Sequence, residues 1–262
     1  MVLAMDVGNS NIVLGCIDNG NIKCICRMAT DKHKTGDQYG YEIKNLLGMH
    51  SVHPDDIDGC IISCVVPSLT DSIAQGIKLA LKVDALIVGP GIKTGLNIRM
   101  DNPSQVGADL VVESVGCIHK YQLPVIIIDL GTATTMAVIN AKGEYIGGVI
   151  CPGVNLSLTA LSTGTAQLPD ISLEIPKRVI GTNTVDSMRS GLVYGMASML
   201  DGMAARMEEQ LGQPATVVMT GGVSSLIAPV CKRKVIVDEN LILEGLYLLY
   251  QRNISDRRNH HE

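Results

Sequence analysis

Two stretches of this chain repeat one plan, and the repeat limits the folds open to it. The opening MVLAM runs into Asp6 and then into a turn of Gly8, Asn9, Ser10 and Asn11, followed by two β-rich runs joined by DNGN. Far along the chain, VIIIDLGTATTMAVINAKGEYIGGVI repeats the order: apolar strand, acid, glycine-containing turn, then a hairpin around AKGE. The glycine of each hairpin turn, Gly20 and Gly143, stands 14 residues beyond its acid, Asp6 or Asp129. Turn residues between alternating apolar runs read as hairpins, so each half opens with a three-stranded meander.

After each meander the chain alternates between helix and strand. Residues 37–49 and 68–82 carry helical spacing, while DGCIISCVVP and DALIVGP read as buried strands. A helix is expected over 104–120, with Ser104 after Pro103 as its start. In the second half, 184–211 is a long helix with Met188, Leu192, Met196, Met199, Met203 and Met207 in one stripe, which reads as core packing. Gly191 and Gly195 on that helix would admit another helix closely, as at a subunit contact. TVVMTGGV reads as a last strand before a final helix near 240–252. The expected fold class is therefore α/β, with a mixed sheet in each of two similar halves and a ligand cleft between them. The expected divisions are 1–118, 119–252, and a disordered tail from 253 to 262.

Composition narrows the function. A net charge of −5, with no Trp and no Phe, supplies neither the basic face nor the stacking rings expected of a nucleic-acid binder. No run approaches the length of a membrane span, and Asp6 interrupts the N-terminal apolar stretch, so a cytoplasmic protein without a membrane anchor is expected. The 8 cysteines are scattered without a CxxC pair and read as reduced core residues. The paired histidines, His50 with His53 and His260 with His261, read as loop and terminus.

An acid at a strand end, beside glycine and small polar residues, leaves backbone N–H groups facing an anion. The carboxylate would repel that anion unless a cation lies between them. A single such turn is slightly better read as an Asp capping its own turn. Two at matching offsets, with a third strand ending in TGG, point instead to a metal–nucleotide complex held by both halves.

The triple arrangement resembles the actin-like ATPase fold of sugar kinases and chaperone ATPases, built of two ribonuclease H-like halves. DNPSQVGADLVV, IIDLGTATTMAVI, GGVICPGVNLSLTAL, TAQLP and IGTNTVDSMRSG, in this order, resemble type III pantothenate kinases across nearly the whole chain. The resemblance implies ATP-dependent phosphorylation of pantothenate to 4'-phosphopantothenate, the first step toward coenzyme A. It implies a homodimer that uses Mg2+ with ATP and a monovalent cation, K+ or NH4+. By resemblance Asp6, Val7, Gly8, Asn9, Ser10, Asn11, Ile12 and Val13 contact ATP, with Asp6 near the divalent metal and Thr132 also at the nucleotide. Asp129 corresponds to the monovalent-cation residue and Asp109 to the general base. Met100, Gly107, Ala108, Asp109 and Leu110 fall at substrate positions, as does Thr184, presented from the neighbouring subunit. Two positions depart from the pattern: Leu110 stands where the family has Arg, and Met100 where it has Tyr. The departures leave open a kinase for another small hydroxylated substrate, or a non-catalytic nucleotide-binding regulator.

Overall fold

The computed structural model describes the backbone of residues 1–259 and side chains through residue 255. The chain begins with the meander β1 (Val2–Val7), β2 (Asn11–Asp18) and β3 (Asn21–Ala29). Helix α1 (Gly36–Met49) comes next, then β4 (Gly59–Cys64), α2 (Pro67–Leu81) and β5 (Ala85–Ile87). The sheet order is β3-β2-β1-β4-β5, with β1 antiparallel to β2 and parallel to β4.

A short strand β6 (Asn97–Ile98) and the helix α3 (Ala108–Lys120) lead to the second meander, β7 (Val125–Leu130), β8 (Ala133–Ile139) and β9 (Glu144–Pro152). Beyond it lie α4 (Val154–Gly164), α5 (Thr184–Leu211), β10 (Thr216–Thr220), α6 (Ser224–Ile227), β11 (Ile236–Val237) and α7 (Leu241–Asn259). The second sheet has the order β11-β10-β7-β8-β9-β6. From β9 to β11, this is the order of the first sheet, with β6 added at the edge. The repeat is thus one of topology as well as motif.

Local chemistry explains the helix boundaries. Thr35 and Gln38 form a reciprocal capping box at the start of α1, Thr35 N donating to Gln38 Oε1 at 2.8 Å. Asn183 caps α5, accepting from Asp186 N at 2.8 Å, and Gly212 ends it at φ 70°. Helix α3 starts at Ala108, later than the expected Ser104, because residues 103–105 form a 3-10 turn and Gly107 precedes the first helical residue.

The chain divides into two units. The first comprises Met1–Gly95, Ser104–Gly116 and the chain from Leu241; the second comprises Leu96–Pro103 and Cys117–Asn240. This differs from the expected division, which left the final helix with the second half. Leu243, Leu246 and Leu249 of α7 bury against Ala4, Ile17 and Ile61, and that apolar contact draws the helix to the first sheet. The segment 96–103 goes the other way because β6 pairs with β9. The expected tail disorder from 253 also does not begin there. Helix α7 runs on to Asn259, and buried Asn253 accepts from Lys93 N at 3.0 Å while its amide donates to Lys93 O at 3.1 Å. The last three residues of the expected tail lie outside the described residues.

In the first unit, one sheet face packs Leu3, Met5, Leu14 and Ile62 against Tyr39, Ile43, Leu69 and Ile73 of α1 and α2. The opposite face meets Val112 of α3 together with α7. In the second unit Ile126, Ile128 and Met219 pack against Leu192, Val193, Ala197 and Leu200 of α5. Met196, Met199, Met203 and Met207 lie partly buried on the same core, as their spacing predicted.

Candidate active site

In the first unit, Asp6 is the next-to-last residue of β1, in register with Val13 of β2 and Ser63 of β4. The turn after it is closed by Gly8 N donating to Asn11 O at 3.0 Å, and Asn9, Ser10 and Asn11 are exposed. A methyl group on Gly8 would stand 3.0 Å from Asn11 O. Thr30, just past β3, braces this turn: its N–H donates to Ser10 O at 3.0 Å and its hydroxyl to Gly8 O at 2.7 Å. The side chains of Val7 and Ile12 are fully buried in the core. Of the stretch 6–13, then, these two can offer a ligand only their backbone.

Also in the first unit, Gly107, Ala108, Asp109 and Leu110 enter α3. Asp109 Oδ1 accepts from Leu110 N at 2.8 Å and lies so close to Gly107 that a methyl group there would be 2.4 Å away. The carboxylate therefore folds back over the glycine. Burial raises the Asp109 pKa above the ordinary carboxylate value, against the opposing pull of backbone N–H donors at the helix start. A base so tuned takes a proton more readily than a free aspartate. Leu110 is half-buried, and its carbonyl accepts from Ser114 Oγ at 2.6 Å.

In the second unit, Asp129 repeats the placement of Asp6. It lies in register with Thr135 of β8 and Thr220 of β10. Two glycines make room for its carboxylate: a methyl group on Gly221, which holds φ +91°, would stand 2.5 Å from Oδ1, and one on Gly131 3.4 Å from Oδ2. A carboxylate beside threonine hydroxyls is a hard-oxygen donor set, and it fits a hard cation such as K+ rather than a thiophilic one. Thr132 is exposed at the following turn, and Gly153 N donates to its carbonyl at 3.1 Å. A side chain on Gly153 would meet the carbonyls of both Gly131 and Thr132 at 2.4 Å.

Met100 and Thr184 are likewise in the second unit. Met100 lies over Gly147 of β9, where a methyl group would be 3.5 Å from its sulfur. Thr184 is exposed as the first residue of α5. Two arginines are already engaged with acids: Arg99 Nε pairs with Glu144 at 3.0 Å, and Arg189 Nη2 with Glu174 at 3.1 Å. Thr30 and Gly153 were missed in the sequence. Each acts through a partner distant in the chain, and only the hydroxyl of Thr30 and the glycine after Pro152 gave any local sign.

The model of the type III pantothenate kinase family matches residues 2–206, which takes in every site residue named above except Gly221 and Thr220. The chain belongs to the type III pantothenate kinase family. Solved structures add the fold of the kinase. A conserved Baf family protein from Campylobacter jejuni is 17% identical with a TM-score of 0.61, covering 97% of this chain and 99% of that one. Component A of (R)-2-hydroxyglutaryl-CoA dehydratase from Acidaminococcus fermentans is 16% identical with a TM-score of 0.56, covering 95% and 96%. The N-acetylmannosamine kinase-like Lmo2764 protein from Listeria monocytogenes is 12% identical with a TM-score of 0.52, covering 96% and 99%. At these identities the likeness is one of fold, and the kinase has the mixed α/β fold of actin-like ATPases and sugar kinases. No helix among the described residues is long and apolar enough to cross a membrane.

Proposed function

We propose that this protein transfers the terminal phosphoryl group of ATP to the primary hydroxyl of pantothenate, with Asp109 as the base. The observation that carries the reading is Asp109 itself, held over Gly107 at the start of α3 with a raised pKa, inside a chain that belongs to the pantothenate kinase family. Phosphoryl transfer asks the protein for alignment and charge stabilisation more than for covalent chemistry. The backbone of the Gly8–Asn11 turn receives the phosphates, braced by Thr30. By family membership Thr132 is a nucleotide position, and Gly107, Ala108, Leu110, Met100 and Thr184 are substrate positions. Asp109 accepts the hydroxyl proton as the new P–O bond forms. Asp6 would stand near Mg2+ bound with ATP, which would offset phosphate charge, and Asp129 with its neighbouring threonines would hold K+ or NH4+.

In this reading the enzyme is a cytoplasmic homodimer, with Thr184 presented to the partner's site. Support for the dimer comes from α5: Ser187, Gly191, Gly195 and Ser198 are exposed along one side, and among the described residues nothing beyond the helix's own backbone comes within 4 Å of a methyl group at either glycine. Leu110 and Met100, apolar where the family has Arg and Tyr, favour a second reading, a same-fold kinase for a less acidic hydroxylated substrate. ADP release with ATP, Mg2+ and K+, with and without pantothenate, tests both. Pantothenate-dependent ADP and a phosphorylated product of matching mass are expected. Nucleotide binding without pantothenate-dependent turnover would overturn the assignment of the acceptor.

A further inference from the structure

Beside Asp6, outside the 6–13 stretch, stands a hydroxyl with no evident structural use. Ser63 is 0% exposed, and its Oγ has no hydrogen-bond partner among the described residues. Buried polar groups are nearly always paired, and one left unpaired is a standing cost to the fold. Its position accounts for that cost. Ser63 is in register with Asp6 across the parallel pair β1 and β4. Ala4 and Ile61, two residues earlier on the same strands, both face α3 and α7. Strand alternation therefore places Asp6 and Ser63 on that same face, side by side.

The second unit repeats the pairing. Thr220, also buried, stands in register with Asp129 on β10, the strand parallel to β7. Each of the two repeated acids thus has a hydroxyl next to it on its parallel neighbour, although the sequences around Ser63 and Thr220 share no motif. A buried serine hydroxyl can donate one hydrogen bond and accept others, which suits the water shell of a small divalent cation that keeps most of its waters.

We propose that Ser63 is a positioning residue of the phosphate site, its hydroxyl reserved for the hydrated divalent cation that Asp6 attracts together with ATP. This rests on the reading of Asp6 and its turn as the ATP site. The hydroxyl costs stability without nucleotide and is used when Mg·ATP binds. Removing it should therefore move stability and binding in opposite directions, which a purely structural serine would not do.

The test is calorimetric titration of a non-hydrolysable ATP analogue, with and without Mg2+, into the full chain and into Ser63→Ala and Ser63→Cys. The gain in affinity that Mg2+ confers should shrink about tenfold in both variants, the magnitude expected for a hydrogen bond within a charged site. Affinity without Mg2+ should be unchanged, and the unliganded variants should melt no lower than the parent. An undiminished Mg2+ gain, or an equal loss with and without Mg2+, would overturn the proposal. So would both variants melting well below the parent, which would assign Ser63 to the fold. A parent chain that binds no Mg·ATP would remove the nucleotide reading itself, and the proposal with it.

Discussion

Burial of Asp109 sets its chemistry and its effect on stability together. Desolvation favours the neutral acid, so the folded-state pKa is above the unfolded one. The fold then binds this proton more tightly than the unfolded chain does, and stability falls as pH rises from the ordinary aspartate value through the raised one. Asp109→Asn removes that loss and should be at least as stable as the parent at neutral pH, measured by thermal melting. The same variant should lose roughly 10²–10⁴-fold of pantothenate-dependent turnover, the usual contribution of a general base, and still bind ATP. In the parent, the acidic limb of kcat/KM should lie above the range of a free carboxylate, as a pH–rate profile would show. Leu110→Arg places a cation beside this base. If the acceptor is pantothenate, KM should fall, on the order of tenfold for a charge-assisted contact to its carboxylate; an unchanged or higher KM would favour a less acidic substrate.

Among the elements, α1 and α2 pack backbone against backbone. A methyl group on Gly40 would stand 2.7 Å from the Gly76 carbonyl oxygen, and one on Gly76 2.5 Å from that of Gly36. Backbone cannot yield there as a flexible side chain could. Gly40→Ala is therefore expected to lower stability by about 1–3 kcal/mol, despite the better helix propensity of Ala, and a urea-denaturation midpoint would register it. The helices themselves were legible because their apolar spacing is local, and the structure adds the caps Thr35, Asn183 and Gly212 at their ends. The start of α3 was not, since the 3-10 turn at 103–105 carries residues equally suited to a first helical turn. The continuation of α7 past 252 was hidden for a related reason. Its polar C-terminal residues read as solvated tail, whereas Asn253 is buried by its bonds to Lys93, a residue 160 positions away.

At the scale of the whole molecule, the exposed glycines of α5 carry the expectation of a dimer. Gly195→Glu places a charged side chain on that face without disturbing the core beneath, and sedimentation should show a monomer with little change in melting behaviour of the subunit. A variant that remains dimeric would put the interface elsewhere. The repeat at Asp6 and Asp129, the two meanders and the residue types at the proposed phosphate and substrate positions were all present in the sequence alone, because strand alternation, turn chemistry and short-range spacing are properties of neighbouring residues. Tertiary structure decided the rest: α7 joining the first sheet, β6 joining the second, Thr30 bracing the Gly8–Asn11 turn, Gly221 yielding its side-chain space to Asp129, and Ser63 lying beside Asp6. Each depends on which distant segments share a sheet or a core face, and apolar burial and strand register settle that only once the whole chain has folded.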